Sequence, residues 1–493
     1  MVVVSSHSRR KVSFKAVRYA LAVLVALVLI LQLSLLLPSS FQTTTTVGTF
    51  HGAPVQLVRN QRLQSHLHCV GDNYQPDAWK QRSCRFSNLC FNLTSHDFVL
   101  FAGPRESYQS QVLGSEPLRH VSTLLQPLNV SLGGLNRKWG EAGMERLRWF
   151  PRIVPSISVA YTYYALPDDT ILFPFHSMNG ANPGHLVWDD FLPMYALQTM
   201  FQLVDHYRLL PLRYILHDGQ RGLWASCDVR AERTEECHKV LHKFERLMLK
   251  DDDYTIGTTQ DDAALQLYDT LPPQSDLVCS KIGLAGIASV NDHGVQKSHG
   301  WEEEDYLTTH NHGRGGFLYD FRNHMLENLG VSTVPLSPKD PIRIVFSEGS
   351  SDIPNRNVNL TQQIEHVTQA FPNVSVERYV LKTLSIVEQV ELAARTSIFI
   401  SICGGGAVTG MFLPKGASVI LYFNEVGGVK NNKRTYQPAL LDWDIFNAMS
   451  HLRVHWLVRT TLLCCYTVFD TSSLLYHDDS PRATCATRAS WMH

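Results

Sequence analysis

The sequence predicts an α/β protein built around a parallel, Rossmann-like sheet and carried on a membrane anchor and a short stem. Three observations lead there. In the carboxyl-terminal half, β-branched runs alternate with segments of helical periodicity. A glycine triplet, Gly404, Gly405 and Gly406, stands directly after one of those runs. Near the amino terminus, Tyr19 to Leu37 contains no charged residue.

That run, YALAVLVALVLILQLSLLL, is long enough to span a bilayer. Arg9, Arg10, Lys11, Lys15 and Arg18 precede it, so the positive-inside bias holds residues 1–18 in the cytosol and sends everything after Pro38 across, a type II topology. A cleaved signal peptide is the alternative. The apolar stretch exceeds the usual length of a signal core and no A-x-A site follows, which favours an uncleaved anchor. Residues 38–64, rich in threonine and polar residues and including TTTT, read as a stem holding the body off the membrane.

Lumenal placement makes further expectations. Asn92-Leu-Thr, Asn129-Val-Ser, Asn359-Leu-Thr and Asn373-Val-Ser are acceptor sequons. Ten cysteines fit an oxidising compartment. Cys69, Cys84 and Cys90 lie close in sequence, as do Cys227 and Cys237, so two or three disulfides with local bridges are expected, alongside some free thiols. No C-x2-C pair suggests zinc. The chain ends SWMH with no KDEL-like tail, which favours the Golgi over the endoplasmic reticulum. With 493 residues, 44% hydrophobic, the chain can build about two to four domains. A net charge of -1 gives no basic field for nucleic acid.

The carboxyl-terminal rhythm begins with IRIVF, Ile342 to Phe346, a strand that stops at a polar loop. A helix over Leu360–Phe371, a strand from Val374, a helix over Leu384–Ala394, the strand Ser397–Ser401 and a last strand from Ala417 complete a parallel sheet. The glycines therefore fall at the carboxyl edge of a strand, before a short helix over Ala407–Leu413. Two explanations fit the spacing: a loop whose bare backbone cradles a phosphate, or a tight turn with no ligand. The pattern is neither G-x-G-x-x-G nor a Walker loop. Arg314, Arg343 and Arg356, the last beside Asn357, are candidate cations for a diphosphate.

In the amino-terminal half, NPGHLVWDDFLPMYALQTMFQLV from Asn182 predicts a helix opened by Pro183, with Leu186, Phe191, Met194, Leu197 and Phe201 as its apolar face. His185 and Asp189 are four apart and share a face, an arrangement in which a carboxylate orients an imidazole for general-base chemistry. Asp190 stands beside them. An ordinary amphipathic helix with solvated aspartates is the alternative.

Several segments in order resemble glycosyltransferase family 61, whose members include lumenal N-acetylglucosaminyl, xylosyl and arabinosyl transferases. They are HCVGDNYQPDAWKQRSCRFSNLCFNLTSHDFVLF, NPGHLVWDDFLPMYAL, GFLYDFRNHMLENLG, CGGGAVTGMFLPKGASVILYF and LLDWDIFNAMSHLRVHWL, spanning Cys69 to Leu457. The resemblance implies a GT-B-like α/β architecture, two Rossmann-like domains facing a cleft. It implies an amino-terminal acceptor-side domain over 65–275, a carboxyl-terminal nucleotide-sugar domain over 276–463 and a tail over 464–493. It implies inverting transfer from a nucleotide sugar, usually UDP-linked, to a protein or glycan acceptor, with no required cofactor or metal. His185, Asp189 and Asp190 fall where the acceptor-side base is sought; Arg314, Arg356, Asn357 and Gly404 to Gly406 fall on the donor side.

This chain departs from the family pattern at two places. Cys403, Gly404 and Gly405 stand where relatives commonly have His-Gly-Ala, and Ser347-Glu348 where many have Ser-Arg. A catalytically inactive binding protein on the same scaffold is therefore the alternative function. A metal-dependent GT-A enzyme would instead use the acidic run Asp251 to Asp253, but that run follows a helix ending near Leu249 and not the strand such a site needs; His310 with His312 would be a metal pair, but no third ligand is spaced to match.

Overall fold

The computed structural model describes residues 43–50, 53–71, 78–102, 128–133, 147–155, 161–177, 179–204, 207–214, 227, 231–249, 256–258, 275–288, 311–337, 339–348, 359–423, 426–430, 433–436 and 438–458, with a few isolated positions besides. Apart from Val23 and Val25, the predicted anchor lies outside them, as do residues 1–18, the tail, Arg356, Asn357, His310 and Asp251 to Asp253. No helix among the described residues is long and apolar enough to cross a membrane.

The amino-terminal half is built on two seven-stranded sheets. The outer sheet runs, edge to edge, Thr43–Phe50, Ala53–Gln61, Tyr161–Ala165, Leu277–Ser280, Leu89–Asn92, Asp97–Ala102 and Arg152–Pro155. The inner one runs Gly257–Thr258, Arg208–Arg213, Thr170–Phe175, Ile282–Ala285, Ser83–Ser87, His66–Val70 and Arg119–His120. Alternation along the strands determines which layer each side chain joins. Leu172, Leu210 and Leu212 enter a core shared with Val55, Leu57, Phe91 and Leu100 of the outer sheet. Ile171, Phe173, Phe175 and Leu209 point the other way, into a helical layer. Every residue of Thr170–Phe175 is buried, which is why that strand reads as a continuous apolar run.

Two boundaries move. The expected stem contains the hairpin Thr43–Phe50 and Ala53–Gln61, whose second strand pairs antiparallel with Tyr161–Ala165 and buries Val55 and Leu57. Threonine is a good strand residue as well as a stem residue, so composition alone misled there. The expected break at 275/276 falls just before Leu277–Ser280 and Ile282–Ala285, which pair with strands of the amino-terminal sheets. That half therefore continues to at least Ala288, and among the described residues only the run from Thr170 to Thr258, with its helices Pro183–Met200 and Ala231–Phe244, has Rossmann-like βαβ character.

The carboxyl-terminal half is the predicted parallel sheet. Its strands lie in the order Ser375–Tyr379, Arg343–Ser347, Ile398–Ile402, Ser418–Phe423 and Arg453–Val458, all neighbours parallel. The last of these was not expected: alternating Arg453 and His455 on an edge strand obscure its apolar face. Helix Ile386–Ala394 opens with a capping box between Ser385 and Glu388. One face of the sheet packs Phe346 and Ile400 against Leu360 and Val367. The other sends Val345, Phe399, Val419 and Leu421 into the same apolar cluster that takes Ile171 and Phe173 from the inner amino-terminal sheet. Between the two sheets lie helices Pro183–Met200, Gly315–Asn328 and Leu440–Ala448, with Trp188 edge-on to Phe446 at 5.6 Å.

Three disulfides tie the amino-terminal half: Cys69–Cys84, Cys90–Cys279 and Cys227–Cys237. Two are local as expected. Cys90–Cys279 instead joins strands 189 residues apart. Cys403 is buried and forms no disulfide.

Candidate active site

Strand Thr170–Phe175 delivers the buried residues His176 and Ser177 to its carboxyl edge, and a turn leads to Asn182. Asn182 caps the next helix, its side chain accepting the Gly184 N–H at 3.0 Å, and Pro183 occupies the first helical position. From Leu186 to Phe191 the helix widens into a π turn, in which the Leu192 N–H bonds to the Val187 carbonyl. Pro193 gives a physical cause. It lacks the N–H that would bond to the Asp189 carbonyl, and its ring would crowd that carbonyl in a regular α-helix. Widening the turn relieves the crowding, and such bulges recur at functional sites.

The π turn gives the two adjacent carboxylates different partners. Asp189 Oδ2 lies 2.6 Å from His185 Nδ1. Asp190 Oδ2 accepts from the Ser177 hydroxyl at 2.6 Å. All three helix residues are buried. Burial pushes the Asp190 carboxyl well above the ordinary carboxylate range; the Ser177 hydrogen bond and the nearby Arg213 guanidinium pull it down, while Asp189 pushes it further up. With the Nδ1 proton of His185 given to Asp189, the basic lone pair of the neutral ring lies on Nε2.

The glycine triplet approaches this helix directly. A Cβ on Gly405 would stand 2.6 Å from Asn182 Oδ1 and 3.1 Å from Pro183 Cδ. The bare backbone thus lets the strand–loop of the carboxyl-terminal sheet reach the helix that carries His185. Gly404 has φ +124°, a conformation side chains rarely adopt, and its N–H donates to Asp442 Oδ2. Cys403 Sγ lies 2.8 Å from the same oxygen. Two residues on, Asp444 accepts from the Asn311 side chain at 2.7 Å. Helix Leu440–Ala448 therefore pins both the glycine loop and the loop entering Gly315–Asn328, whose preceding residue is the half-buried Arg314.

Sequence reasoning named His185, Asp189, Asp190 and the glycines, which the structure assembles around one helix end, but it missed Ser177, Arg213, Asp442 and Asp444. The spacing Asp442-Trp443-Asp444 was the available signal. Arg343 stands apart, at the opposite edge of its sheet, bonded to both oxygens of Glu377 at 2.7 and 2.6 Å. Glu348 accepts the Leu360 N–H ahead of helix Thr361–Ala370 and pairs with Arg378 at 3.3 Å. Among the described residues, no three His, Cys, Asp or Glu side chains are grouped to hold a metal ion.

An Asp-supported imidazole is chemically able to take a proton from a hydroxyl, and here it stands beside a glycine turn at the carboxyl edge of a parallel sheet. Residues 185–420 match the sequence profile of the family Glycosyltransferase 61. The protein O-linked-mannose beta-1,4-N-acetylglucosaminyltransferase 2 of Canis lupus familiaris is 22% identical over 366 residues, covering 73% of this chain and 52% of that protein. The protein of the same name from Danio rerio is 23% identical over 389 residues, covering 76% and 54%. The chain thus spans about half the length of the curated relatives it matches. Among solved structures, the dodecameric iron-containing heptosyltransferase TibC in complex with ADP-D-beta-D-heptose aligns at 12% identity over 82% of this chain and 84% of that one, with a TM-score of 0.21, too loose a superposition to bear on the fold.

Proposed function

We propose that the chain transfers a sugar, with inversion, from a nucleotide-sugar donor, UDP-linked, to a hydroxyl of a protein or glycan acceptor, without a metal or other cofactor. His185 Nε2 takes the acceptor proton as the oxygen attacks the anomeric carbon; Asp189 orients the ring and stabilises the imidazolium. Asp190, which burial favours in its neutral form, positions Ser177. The observation that carries this is the 2.6 Å His185–Asp189 contact on a π turn beside the glycine loop. The departing diphosphate is met by Arg314, Arg356, Asn357 and the N–H groups of Gly405 and Gly406. The halves open as a GT-B cleft, and the catalytic body is lumenal, anchored as a type II Golgi membrane protein. Three disulfides support an oxidising compartment.

The test is nucleotide release by the purified protein over a panel of UDP-, GDP- and CMP-sugars, with and without chelator and acceptor. Chelator-resistant turnover of one donor supports the proposal and names the sugar. No turnover, with no thermal stabilisation by any donor or by UDP, overturns it in favour of a binding protein on the same scaffold.

A further inference from the structure

Phe371 is 45% exposed and Ile342 53% exposed, and Phe371 is the aromatic among the exposed large hydrophobics of the described residues. The two come together at one turn. Helix Thr361–Ala370 ends at Phe371, and the Val374 N–H returns to the Phe371 carbonyl at 3.0 Å, closing a β-turn with Pro372 and Asn373 at its corners. The Ser375 N–H then bonds to the Ile342 carbonyl at 3.2 Å, which sets Ile342 beside the turn. Asn373 is exposed at the tip and opens the sequon Asn373-Val374-Ser375, with Phe371 two residues before it. We propose that Asn373 carries an N-linked glycan whose first N-acetylglucosamine lies on the Phe371 ring and covers this apolar patch.

The other three sequons lack this setting. Asn92 is half-buried, and its side chain accepts from the Thr94 and Ser95 N–H groups at 3.0 and 2.7 Å. Asn129 is half-buried, with its carbonyl held by Arg82 at 2.7 Å. Asn359 is exposed but its side chain accepts the Thr361 N–H at 2.9 Å. Only at Asn373 does an exposed aromatic ring stand two residues before an exposed asparagine at a turn corner. The apolar C–H face of a sugar ring matches the electron-rich face of an aromatic, so the pairing removes apolar surface from water on both sides. The site also has a place in the fold. Ser375–Tyr379 is the edge strand of the five-stranded sheet, and a glycan at its start screens unpaired backbone groups from other chains.

The chemistry is ordinary transfer from a lipid-pyrophosphate-linked oligosaccharide by the host's lumenal machinery. The Asn373 amide nitrogen forms a bond to C1 of the sugar and loses a proton to a base. The C1–oxygen bond to the pyrophosphate breaks, and the lipid pyrophosphate leaves. In the folded chain the Ser375 hydroxyl is held by Glu377 at 2.8 Å, so transfer precedes closure of the edge strand. The proposal rests on lumenal placement and is independent of transferase activity.

The experiment expresses the full chain in a eukaryotic secretory host and maps glycopeptides by mass spectrometry. It then compares thermal unfolding after trimming to a single N-acetylglucosamine with unfolding after complete removal. The expected result is occupancy at Asn373, and a melting temperature about 2 °C lower after complete removal than after trimming. That difference disappears in Phe371→Ser, which undergoes the same conversion of asparagine to aspartate. An unmodified Asn373 beside other occupied sequons overturns the proposal, as does a difference equal in the wild type and in Phe371→Ser. If all four sequons are unmodified, both this proposal and lumenal placement fail, while turnover of a nucleotide sugar would leave the transferase proposal standing.

Discussion

Gly405→Ala examines the junction on which the site is built. The added Cβ would stand 2.6 Å from Asn182 Oδ1, where 3.4 Å begins ordinary contact, so a shift of about 0.8 Å, the difference of the two, is required. Asn182 cannot give way without loss, because its side chain caps the helix by accepting from Gly184. Losing that cap costs about 1 kcal/mol. Crowding against Pro183 adds about 1–3 kcal/mol, for a total destabilisation of about 2–4 kcal/mol. Urea denaturation followed by tryptophan fluorescence measures it as a fall in midpoint at unchanged slope. Asn182→Gly removes the obstructing oxygen at a cost of a few tenths of a kcal/mol. The double variant is therefore expected to be more stable than Gly405→Ala alone, a strongly non-additive cycle. An effect of Gly405→Ala below about 0.5 kcal/mol, or simple additivity with Asn182→Gly, would refute the packing described here.

Asp190 links the site to pH. Its native carboxyl is raised above the unfolded value of about 3.9, so the native state keeps a proton that the unfolded chain releases; stability is full below that value and falls as pH rises through the window above it. Asp190→Asn removes this loss, and urea midpoints of variant and wild type should diverge in the variant's favour between pH 4 and neutrality. His451 has the opposite sign. Burial, with the Arg322 guanidinium second, pushes it down to about 4, so the native state binds fewer protons than the unfolded chain between about 4 and 6.5. Stability falls as pH drops through that window by up to about 3 kcal/mol, and His451→Gln should flatten the fall in the same urea series. For the disulfides, loop length ranks the losses: replacing both Cys90 and Cys279 by Ser costs about 5 kcal/mol, and replacing Cys227 and Cys237 about 3 kcal/mol, from separations of 189 and 10 residues. Thermal melts of the two double variants check the order.

The carboxyl-terminal sheet was legible because parallel strands buried on both faces read as plain β-branched runs. Ile344 to Phe346 and Phe399 to Ile400 are examples, each bounded by polar loops or glycine. The amino-terminal sandwich was not. Many of its strands have partners far away in sequence, Leu277–Ser280 beside Leu89–Asn92 being one such pair. Nothing local announces such pairings. The helix opening at Pro183 was legible through its Asn182–Pro183 start and its apolar spacing, and the His185–Asp189 contact through their i, i+4 relation. The π turn was not, although Pro193 is its sequence trace. Ser177, Arg213 and Asp442 reach the site from other strands and helices, so only the fold could bring them in. The role of Gly405 depended in the same way on a neighbour more than two hundred residues away, Asn182.

The most direct measurement of the central claim is steady-state turnover of the best donor by Asp189→Asn and His185→Gln. The dyad account predicts that each variant lowers kcat by about 10²–10⁴, as expected for loss of an oriented general base, with little change in KM for the donor. Asp189→Asn retaining wild-type kcat while His185→Gln is inactive would contradict the role of Asp189, and full activity in both would remove the dyad from the mechanism altogether.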